Sequence, residues 1–259
     1  SVCFGDTLTF TAEGGKEYIW TATKDGTEIT VSDNVNVIKF TEIGVYNVSV
    51  VAKSGEGCES EPSEIVSAQI YEKPVVTLTS SGNICFGDTL TFTAEGGNEY
   101  IWTVNGEPYA DESDNVIEFT EIGAYNVSVV AKSGEGCESD PSEIVSAQIY
   151  AKPLATLTAS ESVCFGDTLT FTAEGGNEYI WTVTDKVGAA ITVTDTDNSI
   201  EFTEIGVYNV SVVAKSGDGC VSDPSEIVSA QIYAKPIANL TASESVCFGD
   251  TLTFTAEGG

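Results

Sequence analysis

Seven cysteines and forty acidic residues are the side chains that carry chemistry in this chain of 259 residues, which has ten lysines and no histidine, arginine or methionine. Without imidazole there is no Ser/His/Asp or Cys/His nucleophile, no ordinary proton shuttle and no imidazole metal ligand. Without guanidinium there is no bidentate clamp for an oxyanion. A glycosidase-type carboxylate pair is the remaining catalytic option, and no spacing sets two of the forty acids apart. The side chains therefore point away from an enzyme. The cysteines behave differently, because their positions repeat.

Cys3 opens the stretch Cys3-Phe4-Gly5-Asp6-Thr7-Leu8-Thr9-Phe10-Thr11-Ala12-Glu13-Gly14-Gly15, which returns letter for letter at Cys85, Cys164 and Cys247, at intervals of 82, 79 and 83 residues. A second set, Cys58, Cys137 and Cys220, closes a Lys-Ser-Gly-x-Gly-Cys run in each full unit. A period near eighty is that of a domain, not of a solenoid repeat. Leu8, Phe10 and Ala12 alternate with Thr7, Thr9 and Thr11, which is the pattern of a half-buried antiparallel strand between a Gly-Asp turn and a Gly-Gly turn.

The second unit predicts strands over 75–79, 89–94, a stretch carrying Tyr100 and Trp102, 116–120, 125–132 and 143–150, with a polar segment over 105–115. Short strands with turn signals every 8–12 residues, a tryptophan in the third strand and a Gly-x-Tyr corner predict a β-sandwich. The core disulfide of antibody domains is missing, since Val127 stands at its place. The expected organisation is 1–74, a sandwich lacking its first strand; 75–153 and 154–236, complete sandwiches; and 237–259, the first two strands of another. The Lys-Pro linkers at Pro74, Pro153 and Pro236 are short and stiff, so the expected fold class is all-β, a tandem array in an elongated rod. No signal peptide opens the chain and Ser1 stands at a strand edge, which reads as a cut through a longer protein.

A net charge of −30 disfavours nucleic acid and anionic membranes as partners, and no apolar run is long enough to span a bilayer. The acidic surface favours solubility and attracts cations. Asp195 with Asp197, and Asp111 with Asp114, are spaced like calcium ligands, with ordinary Asx turns as the competing reading. Calcium is the only cofactor that the chain suggests, and none is required.

Cys-Phe-Gly-Asp-Thr-Leu-Thr-Phe at Cys85, Tyr100-Ile101-Trp102-Thr103, Gly206-Val207-Tyr208-Asn209-Val210-Ser211-Val212 and Gly134-Glu135-Gly136-Cys137-Glu138-Ser139 resemble the PKD-like and Ig-like repeats of very large cell-surface proteins of Bacteroidota. That group includes gliding adhesins of the SprB type, exported by type IX secretion. The likeness covers every repeat, but Trp102-Thr103-Val104-Asn105-Gly106 stands where PKD domains proper have Trp-Asp-Phe-Gly-Asp-Gly. The resemblance implies an extracellular, surface-exposed stalk or adhesive segment, without catalysis, whose partners are neighbouring repeats of the same longer chain and surface polysaccharide. It also implies O-glycosylation at the Asp-Thr-Leu threonines, Thr7, Thr89, Thr168 and Thr251, where a turn followed by a strand threonine is an equal reading. A carbohydrate-binding accessory module is the alternative function, with Tyr109 its one candidate platform.

Cysteines in a surface-type chain read as disulfides. Pairing within repeats would give Cys3–Cys58, Cys85–Cys137 and Cys164–Cys220. However, the two cysteines of a sandwich lie at opposite poles, separated by a strand of ~25 Å, and a disulfide needs Cα atoms within ~7 Å. Head-to-tail stacking brings opposite poles together. The geometry therefore favours Cys3–Cys137 and Cys85–Cys220, with Cys58, Cys164 and Cys247 left for repeats outside the sequence. Phe86 and Tyr150 are expected to pack at such a junction.

Overall fold

The computed structural model describes residues 1–31, 34–109 and 114–258. The first repeat contains β1 (Val2–Cys3), β2 (Leu8–Thr11), β3 (Glu17–Lys24), β4 (Thr27–Ile29), β5 (Val37–Phe40), β6 (Gly44–Lys53) and β7 (Val66–Tyr71). The second contains β8 (Thr77–Ser80), β9 (Ile84–Cys85), β10 (Leu90–Glu95), β11 (Glu99–Val104), β12 (Glu107–Tyr109), β13 (Val116–Phe119), β14 (Gly123–Lys132) and β15 (Val145–Tyr150). The third contains β16 (Thr156–Ala159), β17 (Val163–Cys164), β18 (Leu169–Glu174), β19 (Glu178–Thr184), β20 (Ala190–Ile191), β21 (Ser199–Phe202), β22 (Gly206–Lys215) and β23 (Val228–Tyr233). A hairpin, β24 (Asn239–Ala242) with β25 (Phe254–Glu257), follows. No helix occurs among the described residues, and the fold is all-β. The chain divides into two compact units, Ser1–Ile149 and Tyr150–Gly259.

Each full repeat is a sandwich of a three-stranded and a five-stranded sheet, ordered β13-β10-β8 and β12-β11-β14-β15-β9 in the second. Alternation decides which side chains enter the core. Leu90, Phe92 and Ala94 of β10 face Tyr100 and Trp102 of β11 and Val127, Val129 and Ala131 of β14, all buried. Residues one position over, such as Thr91 and Thr93, point out. Burial of each large side chain contributes about 1.5–3 kcal/mol, so alternation locks the register. Equivalent cores form around Phe10 and Trp20 and around Phe171 and Trp181.

Two elements differ from expectation. The first strand of the sandwich breaks at Ser81-Gly82 (Gly82 φ 85°) and crosses to the other sheet. β8 pairs antiparallel with β10, whereas β9 lies beside β15; its counterparts β1 and β17 run parallel to β7 and β23. The polar segment after β11 also yields a short strand, β12, paired back on β11 through Trp102↔Tyr109. In the first repeat the smaller sheet has two strands, β2 and β5.

Candidate functional site

The strand switch places one cysteine of each repeat. Cys3 ends β1 opposite Tyr71, the last residue of β7, and Phe4 N–H donates to the Tyr71 carbonyl at 2.8 Å. The next residues turn tightly: Asp6 N–H donates to the Cys3 carbonyl at 3.0 Å, with Gly5 at φ 103°. Cys3 is therefore held at the pole where the repeat ends.

The other cysteine sits on the opposite pole. After β14 the chain reverses at Ser133–Cys137: Ser133 N–H donates to the Cys137 carbonyl (2.8 Å), and Cys137 N–H donates to Ser133 Oγ (3.2 Å). Beyond the tip, two serines replace regular strand pairing. Ser139 N–H donates to the Ala131 carbonyl while its Oγ accepts from Ala131 N–H, both at 2.9 Å. Ser142 repeats the arrangement on Val129, at 2.9 and 3.1 Å. The recurring Cys-x-Ser-x-Pro-Ser spacing is the sequence signal for these contacts, and it becomes readable only with β14 alongside.

Within the first unit, Cys3 and Cys137 form a disulfide with Cα atoms 5.5 Å apart, spanning 134 positions of sequence. Lys73 of the linker pairs with Asp140 at 3.4 Å beside it. Cys137 is fully buried and Ser139 nearly so, whereas Cys58 at the corresponding tip of the first repeat is exposed and free. The within-repeat alternatives do not form. Cys3 and Cys137 are taken by each other, which excludes Cys3–Cys58 and Cys85–Cys137, and Cys164 is free, which excludes Cys164–Cys220. The physical reason is the pole separation imposed by each repeat's long strands. Cys85 and Cys220 are also in disulfide form, and Cys247 is a free, exposed thiol. Phe4, beside this bond, is 47 % exposed, and its counterpart Phe86 is 45 % exposed.

Three of the four calcium candidates, Asp114, Asp195 and Asp197, lie in described segments. Asp195 Oδ1 accepts from Asp197 N–H at 3.0 Å, an Asx turn, and the Asp197 carbonyl receives Trp181 Nε1–H at 3.1 Å. The Asp114 carbonyl receives Trp102 Nε1–H at 3.0 Å in the same way. These segments supply acceptors to buried indoles, which otherwise lose a hydrogen bond. Asp111 lies outside the described residues. Among the described residues no group of three or more Cys, Asp or Glu side chains is arranged to hold a metal ion.

Tyr109 is half-buried, packing edge-on against Phe119 with centroids 5.6 Å apart, and so belongs to the core's margin rather than to an open sugar platform. Thr7, Thr89, Thr168 and Thr251 are all exposed just before or within the second-strand region of their repeats.

No protein-family model matches the chain. It is similar to Internalin I of Listeria monocytogenes serotype 4b (strain F2365), 24% identical over 238 residues, covering 87% of this chain. Internalin I of serovar 1/2a (strain ATCC BAA-679 / EGD-e) is 23% identical over 236 residues, with the same 87% covered. Among solved structures, fibronectin(III)-like modules of Clostridium thermocellum CbhA align over 62% of this chain and 95% of theirs, with 20% identity and a TM-score of 0.37. A structure from a 1.5-MDa bacterial ice-binding adhesin aligns over 88% of this chain and 90% of its own, with 12% identity and a TM-score of 0.35. The FN1-FN3 domains of chicken CNTN1 align over 88% and 94%, with 14% identity and a TM-score of 0.35. The sandwich assignment rests on the sheets and cores described above. The chain spans 13% of the length of the curated relatives it matches.

Proposed function

We propose that the chain is a stretch of the stalk or adhesive repeat region of a large extracellular bacterial surface protein, non-catalytic and stapled by disulfides between consecutive repeats. The observation that carries this reading is the Cys3–Cys137 bond, which links two sandwiches that each have a buried core of their own. Such a bond fixes one repeat to the next. Disulfides of this kind persist in oxidising, extracellular surroundings. The likeness to Internalin I adds a bacterial protein to which this chain corresponds over a small fraction of the length. The repeat signature refines the class to the giant surface adhesins of Bacteroidota, with neighbouring repeats as the constant partners and no required cofactor. The exposed Thr7, Thr89, Thr168 and Thr251 are open to O-glycosylation.

Antibodies raised against the 259-residue chain test the reading on intact cells of the source organism. Labelling of unpermeabilised cells is the expected result. Labelling that appears only after lysis overturns it.

A further inference from the structure

The Cys3–Cys137 bond changes where tension travels. Between the N-terminal side of Cys3 and the end of β15 the chain offers two covalent routes. One follows the backbone through both sandwiches. The other crosses the disulfide and runs only along 138–150, bypassing the 134-position loop that the bond closes. While the bond holds, the covalent distance between its ends is fixed, so the bypassed residues cannot be drawn out as extra length.

That short route, residues 138–150, is about a tenth of the loop in length, so the length it can give is small. Val145–Tyr150 is strand β15, and 138–142 is tied to β14 by the backbone and side-chain bonds of Ser139 and Ser142. Load enters and leaves on this one segment. The sheet hydrogen bonds between β14 and β11, and those between β6 and β3, are not in series with it. Neither are the cores around Trp20 and Trp102.

We propose that Cys3–Cys137 is a tension shunt: while it is oxidised the first two repeats are taken out of the load path, and reduction returns them to it as extensible length. The inference stands on covalent connectivity and holds whether or not the chain belongs to a surface stalk. The release step is a thiol–disulfide exchange. One thiolate of an added dithiol attacks the partly exposed Cys3 sulfur and displaces the Cys137 thiolate. The dithiol's second thiolate then displaces Cys3. The dithiol leaves as a cyclic disulfide, oxidised by two electrons, and both cysteines end as thiols after protonation.

Optical tweezers on the full chain, with handles at residue 1 and at a clickable non-natural residue replacing Lys152, read this directly. The oxidised molecule is expected to stretch without unfolding steps between the handles. Adding a dithiol to the same tethered molecule should then release about 440–480 Å of contour, from 134 positions at ~3.3–3.6 Å each. A Cys3→Ser/Cys137→Ser chain should release that length without reductant. Steps summing to this length in the oxidised molecule overturn the proposal. So does a reduced molecule that withstands the same pull without extending, because the repeats would then need no shunt.

Discussion

Three tyrosines at equivalent corners each tie a strand entrance to the turn before it. Tyr46, Tyr125 and Tyr208 donate their phenol hydrogens to the carbonyls of Glu42, Glu121 and Glu204 at 2.8, 2.8 and 2.9 Å. The rings stack on Phe40, Phe119 and Phe202 with centroids 4.3, 4.2 and 4.1 Å apart. Burial, chiefly, pushes all three phenols above their ordinary range, with Glu121 and Glu204 adding to the rise at Tyr125 and Tyr208. The unfolded chain therefore releases these protons first, near pH ~10, while the folded chain keeps them. Their contribution is complete below that pH and is lost as the pH rises through the higher folded values. Tyr125→Phe should cost about 0.5–1.5 kcal/mol at neutral pH, the worth of one hydrogen bond, with an unchanged urea m-value. Its alkaline loss of stability should be shallower than that of the parent, and an equally steep loss would place the titration elsewhere. The corner was legible in the sequence because Gly-x-Tyr recurs in every full repeat at the same distance after a phenylalanine, Phe40, Phe119 or Phe202. Tyr109 was not: whether a lone tyrosine in a polar stretch faces solvent or Phe119 depends on β12, a three-residue strand with almost no pattern of its own.

At the scale of elements, the Gly-Gly turn between β10 and β11 is where backbone geometry dictates residue type. Gly96 holds φ 105°, and a Cβ there would lie 1.9 Å from the Val75 carbonyl oxygen. Gly97 would bring a Cβ to 2.7 Å from that of Ala131 on β14. The Tyr100 hydroxyl bonds both the N–H and the carbonyl of Gly97, at 3.1 Å each, clamping the turn to the strand it starts. Gly96→Ala should destabilise its repeat by about 3 kcal/mol or more and Gly97→Ala by about 1–3, from strain and overpacking. Gly134→Ala, where the nearest atom is an Asn98 side-chain oxygen at 3.7 Å, should stay within about 0.5 kcal/mol. Equal losses at all three positions, measured by urea midpoints, would remove the steric account. The larger strands were readable because alternation of apolar and polar residues persists for several pairs. The crossing from β8 to β9 was not, because two residues, Ile84 and Cys85, cannot show a period. The polar placement of the cysteines was nevertheless readable without β9, since it follows from the length of β14 alone.

For the whole molecule, two opposing effects act on different states of the chain. Net charge of −30 sets acidic groups against one another in the compact form, and the described ion pairs, such as Lys53–Glu59 at 2.8 Å and Lys132–Glu138 at 3.2 Å, are surface contacts of small net effect. Salt relieves that repulsion by shortening its range to ~8 Å at physiological ionic strength. The Cys3–Cys137 bond acts on the unfolded chain instead, by closing a loop of 134 positions. The chain-entropy estimate for such a loop is up to about 5 kcal/mol, less any strain. Because one effect works through folded-state charge and the other through unfolded-state freedom, they should add. Urea, being uncharged, allows both to be varied together: oxidised and reduced chain, each in low and in physiological sodium chloride. Reduction should lower the midpoint by the same amount in both salts, and salt should raise it by the same amount in both redox states. Calcium matched for ionic strength tests the acidic turns separately: an effect no larger than that of sodium leaves Asp195 and Asp197 as surface charge. A salt effect that vanishes in the reduced chain and also in a Cys3→Ser/Cys137→Ser chain would mean that the acidic repulsion is concentrated where Cys3 meets Cys137, next to Lys73 and Asp140, and that charge and staple act on a single junction.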